Sequence, residues 1–104
     1  VTSQFDVFVN PSPASRRVRP YVVCLESPLF GGSAQRIVAP LVSRREFTRP
    51  SRITPAVRLD DEEYVVMIPS LASLPARGLA QRVANLQNHR DQLLAAVDLL
   101  FYGV

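Results

Sequence analysis

The placement of proline constrains this chain more than any other feature. Nine prolines occur up to Pro75 and none follows. Inside a helix, proline removes a backbone donor and clashes with the preceding turn, at a cost of about 3 kcal/mol. Long helices are therefore excluded from the first three quarters and allowed only in the last. The apolar residues agree, because residues 5–9, 21–25, 37–42, 56–59 and 64–68 are short runs rich in β-branched or aromatic side chains, the length and composition of strands. Between them lie turn signals: Asn10-Pro11-Ser12-Pro13, Ser27-Pro28 with Gly31-Gly32, Arg49-Pro50-Ser51, and an acidic tip over residues 60–63. The series predicts an antiparallel meander, with Pro40 marking an edge strand or a bulge. Residues 71–76 read as a further short strand leading into a helix. From Val83 onward Leu86, Leu93, Leu94, Val97, Leu100 and Phe101 recur at helical spacing, which predicts one C-terminal helix with Asn85 as its N-cap and Gly103 at its stop. The expected fold is mainly β with one C-terminal α-helix, in a single domain over residues 1–104.

Length and composition narrow the class further. A chain of 104 residues, 47% apolar and 20% charged, is long enough to bury one core and too apolar to be largely disordered. Its one cysteine, Cys24, makes no internal disulfide, which suits a reducing compartment. The longest apolar stretch, residues 93–104, is shorter than a span and carries Asp98. Residues 1–6 lack the pattern of a secretory signal, so the expected location is the cytoplasm.

The search for catalytic chemistry returns little. His89 has no nucleophile or second acid marked out beside it, and one Cys with one His does not make a metal site. His89 reads as a surface helical residue and Cys24 as a small buried apolar one. The run Asp60-Asp61-Glu62-Glu63 lacks the alternation and glycine of a calcium loop and reads as a solvated hairpin tip. Gly31-Gly32 has no phosphate-loop lysine after it. The expectation is a protein without a cofactor, a metal or a catalytic site, one that binds rather than turns over.

Two features point to binding. Every one of the 12 basic residues is arginine; nine precede Leu59 against three acids, while three follow against six acids. The basic half fits a docking surface for nucleic acid or an acidic protein, since guanidinium binds phosphate and carboxylate bidentately, or it reflects ordinary surface cations written as arginine. The second feature is the ending Leu99-Leu100-Phe101-Tyr102-Gly103-Val104. Phe101 and Val104 either pack beneath the sheet or join a contact patch, and at least one large side chain of residues 100–102 must look outward.

Several segments together resemble the CcdB family of toxins. Gln4-Phe5-Asp6-Val7-Phe8 is similar to the family's first strand, and Gln35-Arg36-Ile37-Val38-Ala39-Pro40-Leu41 to a later one. Leu71-Ala72-Ser73-Leu74-Pro75 is similar to an element before the helix, and Asp98 to Val104 to the family's aromatic-Gly-Ile/Val ending. The resemblance runs from Gln4 to Val104. It implies an SH3-like barrel of antiparallel strands plus a C-terminal helix, a homodimer, and a bacterial toxin of a plasmid-maintenance type of toxin–antitoxin system that inhibits or poisons DNA gyrase through its A subunit. Carried over by position, the gyrase-binding residues are Asp98, Phe101, Tyr102, Gly103 and Val104, flanked by Ser27, Leu29 and Phe30. Tyr102 stands where the family often has Trp, with a weaker cation–π contact to an arginine. Val104 for Ile and a longer proline-rich loop over residues 10–19 are further departures.

The resemblance also implies a CcdA-like antitoxin with an acidic, disordered tail that folds on the toxin. Arg16, Arg17, Arg19, Arg44, Arg45, Arg49 and Arg52 are its candidate contacts. No sequence-specific DNA binding and no membrane association are expected. Alternatives are an RNA-cleaving toxin on a related barrel, or a non-toxic relative that retains antitoxin binding.

Overall fold

A computed structural model describes residues 3–27, 34–47 and 49–103. They form seven strands, β1 (Asp6–Val9), β2 (Tyr21–Cys24), β3 (Gln35–Ser43), β4 (Ala56–Leu59), β5 (Glu62–Val66), β6 (Ala72–Pro75) and β7 (Arg82–Asn85), followed by the helix α1 (Arg90–Tyr102). All pairings are antiparallel, in the order β4-β5-β3-β2-β1-β7 with β6 also on β3. The sheet curls into a half-barrel, the mainly β class that the sequence implied. The order departs from a simple meander. β1, β2 and β3 follow one another, but the β4–β5 hairpin docks through β5, leaving β4 outermost. The hairpin tip is Asp60-Asp61, with Leu59 opposite Glu62 and Asp60 at a φ of 56°, a left-handed turn position that Asp tolerates.

Pro40 does not mark an edge. It lies in β3, the longest strand, opposite Val22 of β2. On the other side of β3, β6 pairs with Gln35 to Val38 and β5 with Leu41 to Ser43. Pro40 falls at the handover between those partners, where its carbonyl accepts from the Met67 N–H at 2.9 Å. A strand residue's N–H and C=O point the same way, so the donor that proline lacks would have faced this gap rather than β2.

Both faces of the central strands are covered, which is why they read as continuous apolar runs. Val7, Val23, Ala39 and Leu41 point to one side and pack with Leu86, Leu93 and Ala96 in the main core. Phe8, Val22 and Val38 alternate to the other side, where Leu79 and Leu74 close a smaller cluster.

Residues 83–89 are not the start of the helix. Arg82–Asn85 is β7, paired with β1 through a bulge that leaves Val83 without a partner in the register. Asn85 is not the helix N-cap: its Oδ1 accepts from the Gln87 N–H at 2.7 Å and ends the strand, and the tight turn Gln87–His89 carries the chain into α1 at Arg90. Pairing with β1 outweighs local propensity here. The pairing is held by Asp6, only 2% exposed. Its carboxylate accepts from Arg82 Nε at 2.7 Å, Asn85 Nδ2 at 2.9 Å and the Ser3 N–H at 2.8 Å. Burial disfavours the charged form, but the hydrogen bonds from Asn85, Ser3 and Arg82 and the charge of Arg82 outweigh it and hold the carboxyl below its ordinary value.

Candidate functional site

The end of α1 stands in solvent. Phe101 is 63% and Tyr102 is 76% exposed, while Leu100 is half-buried against the core. Two of these three large side chains therefore look outward, and Phe101 does not pack beneath the sheet. Asp98 is also exposed and lies four residues before Tyr102, on the same helix face. Gly103 ends the helix at a φ of 70°, its N–H donating to the Leu99 carbonyl at 3.0 Å. A Cβ there would meet nothing within 4 Å, so the backbone conformation alone favours glycine.

An apolar cleft of about 400 Å³ opens beside this tip. Leu94, Val97 and Phe101 of α1 line it together with Phe5, Leu25 and Ile37, and Ser27 joins them. The fold thus brings Ser27 to the same cleft as Phe101. Leu29, Phe30 and Val104 lie outside the described residues, as do Pro28, Gly31 and Gly32 of the expected turn. The sequence reading missed Phe5, Leu25, Ile37, Leu94 and Val97 as cleft residues. The signal was present for the helix, where Leu94, Val97 and Phe101 recur at three- and four-residue spacing. For Phe5 no such signal exists. Its φ of 70° is an outlier for a bulky side chain. Its N–H donates to the Cys24 carbonyl at 2.7 Å, and its carbonyl accepts from the Leu86 N–H at 2.9 Å.

The seven candidate arginines do not share one cleft. Arg16, Arg17 and Arg19 sit in the loop between β1 and β2, and Arg16 lines a cleft with Pro11 and Gln81. Arg44 and Arg45 follow β3 and share a cleft with Arg58, Asp61, Glu62 and Glu63. Arg52 lines a third with Pro55, Gln92 and Ala95, and Arg49 is exposed nearby in sequence.

His89 lies in the turn before α1, not in the helix. Its Nε2 accepts from the Arg58 N–H at 3.4 Å, which leaves Nδ1 to donate to Gln92 Oε1 at 2.8 Å. Both ring nitrogens thus tie the helix start to the edge strand β4. Cys24 is buried at the end of β2, and burial pushes its thiol up, away from reactivity. Burial beside Tyr21 likewise raises Tyr64, whose ring meets that of Tyr21 edge-on at 5.6 Å. Among the described residues no three His, Cys, Asp or Glu side chains converge on a metal position, and no helix is long and apolar enough to cross a membrane.

The fold is a curled antiparallel sheet with one helix, whose tip exposes aromatic side chains beside an apolar cleft. A family model described as CcdB protein matches residues 4–103. The chain belongs to the CcdB family. Members of that family are gyrase-targeting toxins of toxin–antitoxin systems, not catalysts; they form dimers and bind a CcdA antitoxin.

Proposed function

We propose that this protein is the toxin of a toxin–antitoxin pair, that it binds the DNA gyrase A subunit and inhibits or traps the gyrase–DNA complex in the cytoplasm, and that a cognate antitoxin neutralises it. The observation that carries this reading is the solvent exposure of Phe101 and Tyr102, 63% and 76%, at the end of a helix whose other face is packed in the core. Large aromatics left in solvent are characteristic of binding hot spots, not of packing. Asp98, Gly103 and, across the cleft, Ser27 extend the proposed contact; the family resemblance adds Leu29, Phe30 and Val104, which lie outside the described residues. The proposed homodimer rests on the family, whose members form dimers. The arginines supply attraction for an acidic antitoxin tail.

Purified protein added to gyrase, plasmid DNA and ATP should inhibit supercoiling or accumulate cleaved complexes. Failure of folded dimer to do either at high excess refutes the toxin reading. Removing Gly103 and Val104 should abolish the effect while leaving the fold intact.

A further inference from the structure

Among the described residues β4 is an outermost strand and pairs with β5 alone. Its outward backbone groups have no strand beside them, an edge of the kind that proteins cover with a helix or a loop. The Arg58 N–H is one such group, and His89 covers it.

His89 is half-buried in the turn before α1. Its Nε2 accepts from the Arg58 N–H at 3.4 Å, and its Nδ1 donates to Gln92 Oε1, one turn further on, at 2.8 Å. Only one form of the ring does both. A backbone N–H can only donate and an amide oxygen can only accept, so Nε2 carries the lone pair and Nδ1 the proton, which is the neutral ring in a single tautomer. Protonation leaves the bond to Gln92 in place but turns Nε2 into a second donor. Two donors then face each other across the gap to β4.

The charged groups around the ring do not replace what is lost. They are Arg58 on β4, Glu63 opposite it on β5, Arg52 on the segment before β4, and Arg90 and Asp91 at the start of α1. Arg90 and Asp91 lie 3.7 Å from each other, and no ion pair among the described residues brings a carboxylate to His89. Two other ties hold the chain where it enters α1, the Gln87 N–H on Asn85 Oδ1 and the Leu86 N–H on the Phe5 carbonyl. Neither involves a titratable group. Histidine is the side chain whose charge ordinarily changes between about pH 5 and 8, and His89 is the tie that uses it.

We propose that His89 is a pH-sensitive latch between the edge strand β4 and the start of α1, closed when the ring is neutral and open when it is protonated. Mild acid uncovers the Arg58 N–H and frees the helix start from β4, while the core face of α1 stays packed through Leu93 and Ala96. The stabilisation is present at neutral pH and is lost as pH falls, because only the unprotonated ring makes the bond. The latch is independent of what Phe101 and Tyr102 bind at the far end of the helix.

NMR of isotope-labelled protein tests it. In neutral solution the ring-nitrogen shifts should show His89 protonated at Nδ1 and unprotonated at Nε2. Solvent exchange of the Arg58 amide, corrected for its intrinsic rate, should accelerate roughly three- to tenfold between about pH 7.5 and about pH 5.5, the share of one modest hydrogen bond. The corrected rates at Ala96 and Val97, inside α1, should not change. His89→Gln places an amide oxygen and an amide donor near the two ring nitrogens and holds no titratable proton, so it should remove the pH dependence. His89→Ala should leave the Arg58 amide fast at both pH values. A wild-type Arg58 rate that is the same at both pH values, or a ring protonated at Nε2 in neutral solution, overturns the proposal without recourse to a variant. Equal acid acceleration in His89→Gln, or an Arg58 rate in His89→Ala equal to that of wild type in neutral solution, overturns it as well.

Discussion

Replacing Tyr102 by Ala separates a packing role from a binding role. Fully burying a large apolar side chain is worth roughly 1.5–3 kcal/mol. With Tyr102 76% exposed, only about a quarter of that, roughly 0.4–0.8 kcal/mol, is lost on truncation. Alanine in the last helical turn recovers a few tenths of a kcal/mol through its higher propensity. The net destabilisation should stay below about 1 kcal/mol, a fall in Tm of at most about 4–8 °C for a domain of this size. A binding hot spot loses about 2 kcal/mol or more, a factor of about 30 in the concentration that half-inhibits gyrase. Urea unfolding and a supercoiling titration on the same preparations measure the two quantities. Tyr102→Trp supplies the converse, since an indole face holds a cation more strongly than a phenol; it should inhibit more potently at unchanged stability. A loss of more than about 2 kcal/mol of stability in Tyr102→Ala, or inhibition equal to wild type, would refute the reasoning.

Other perturbations test the fold and the charge. Because the folded Asp6 carboxyl is held below its ordinary 3.8, the unfolded chain takes up the proton first; its stabilisation is complete above that value and is lost as pH falls through the folded one. Asp6→Asn should therefore be less stable than wild type at neutral pH, with the gap in urea midpoint closing in acid. Leu93→Ala, at a side chain with no exposed surface, should cost about 2–5 kcal/mol by urea unfolding. Pro40→Ala should cost less than about 1 kcal/mol, the chain-entropy term alone, because the donor it restores faces the gap between β5 and β6. In stopped-flow mixing, association with an acidic antitoxin should slow steeply as ionic strength rises, as expected for an arginine-rich surface.

What the sequence revealed of the fold depended on whether a signal was local. The strands β1 to β5 and the hairpin tip at Asp60 were readable because alternation, β-branched content and turn residues all lie within a few positions. β7 was not, because Val83, Ala84 and Leu86 continue a helical spacing, and what makes residues 82–85 a strand is a partner at the other end of the chain, Asp6 to Phe8. The place of Pro40 is hidden for the same reason: whether proline costs a hydrogen bond depends on which strand stands opposite, and that is set by β5 and β6. The aromatic ending was legible as an anomaly, since three large residues in succession cannot all face a core. The apolar cleft was only half legible. Its helical wall repeats at three and four residues, but Phe5 enters through a left-handed backbone that nothing in its neighbourhood announces.

The position of the exposed tip is set from the opposite end of the chain. Phe101 and Tyr102 can be left in solvent only if α1 is held by its other face, and Leu93 and Ala96, both without exposed surface, provide that hold. The direction in which the helix leaves the sheet is fixed earlier. Asn85 donates to Asp6 and to the Gln4 carbonyl through its amide while its oxygen takes the Gln87 N–H, so one side chain joins the buried carboxylate of β1 to the turn that starts the helix. The Leu86 N–H on the Phe5 carbonyl and His89 between Arg58 and Gln92 add two further ties. Asp6 therefore supports more than a strand pair. It anchors the segment from which α1 departs, and through α1 it positions the aromatic tip, although it lies at the start of the fold and bears no direct contact to the surface it orients.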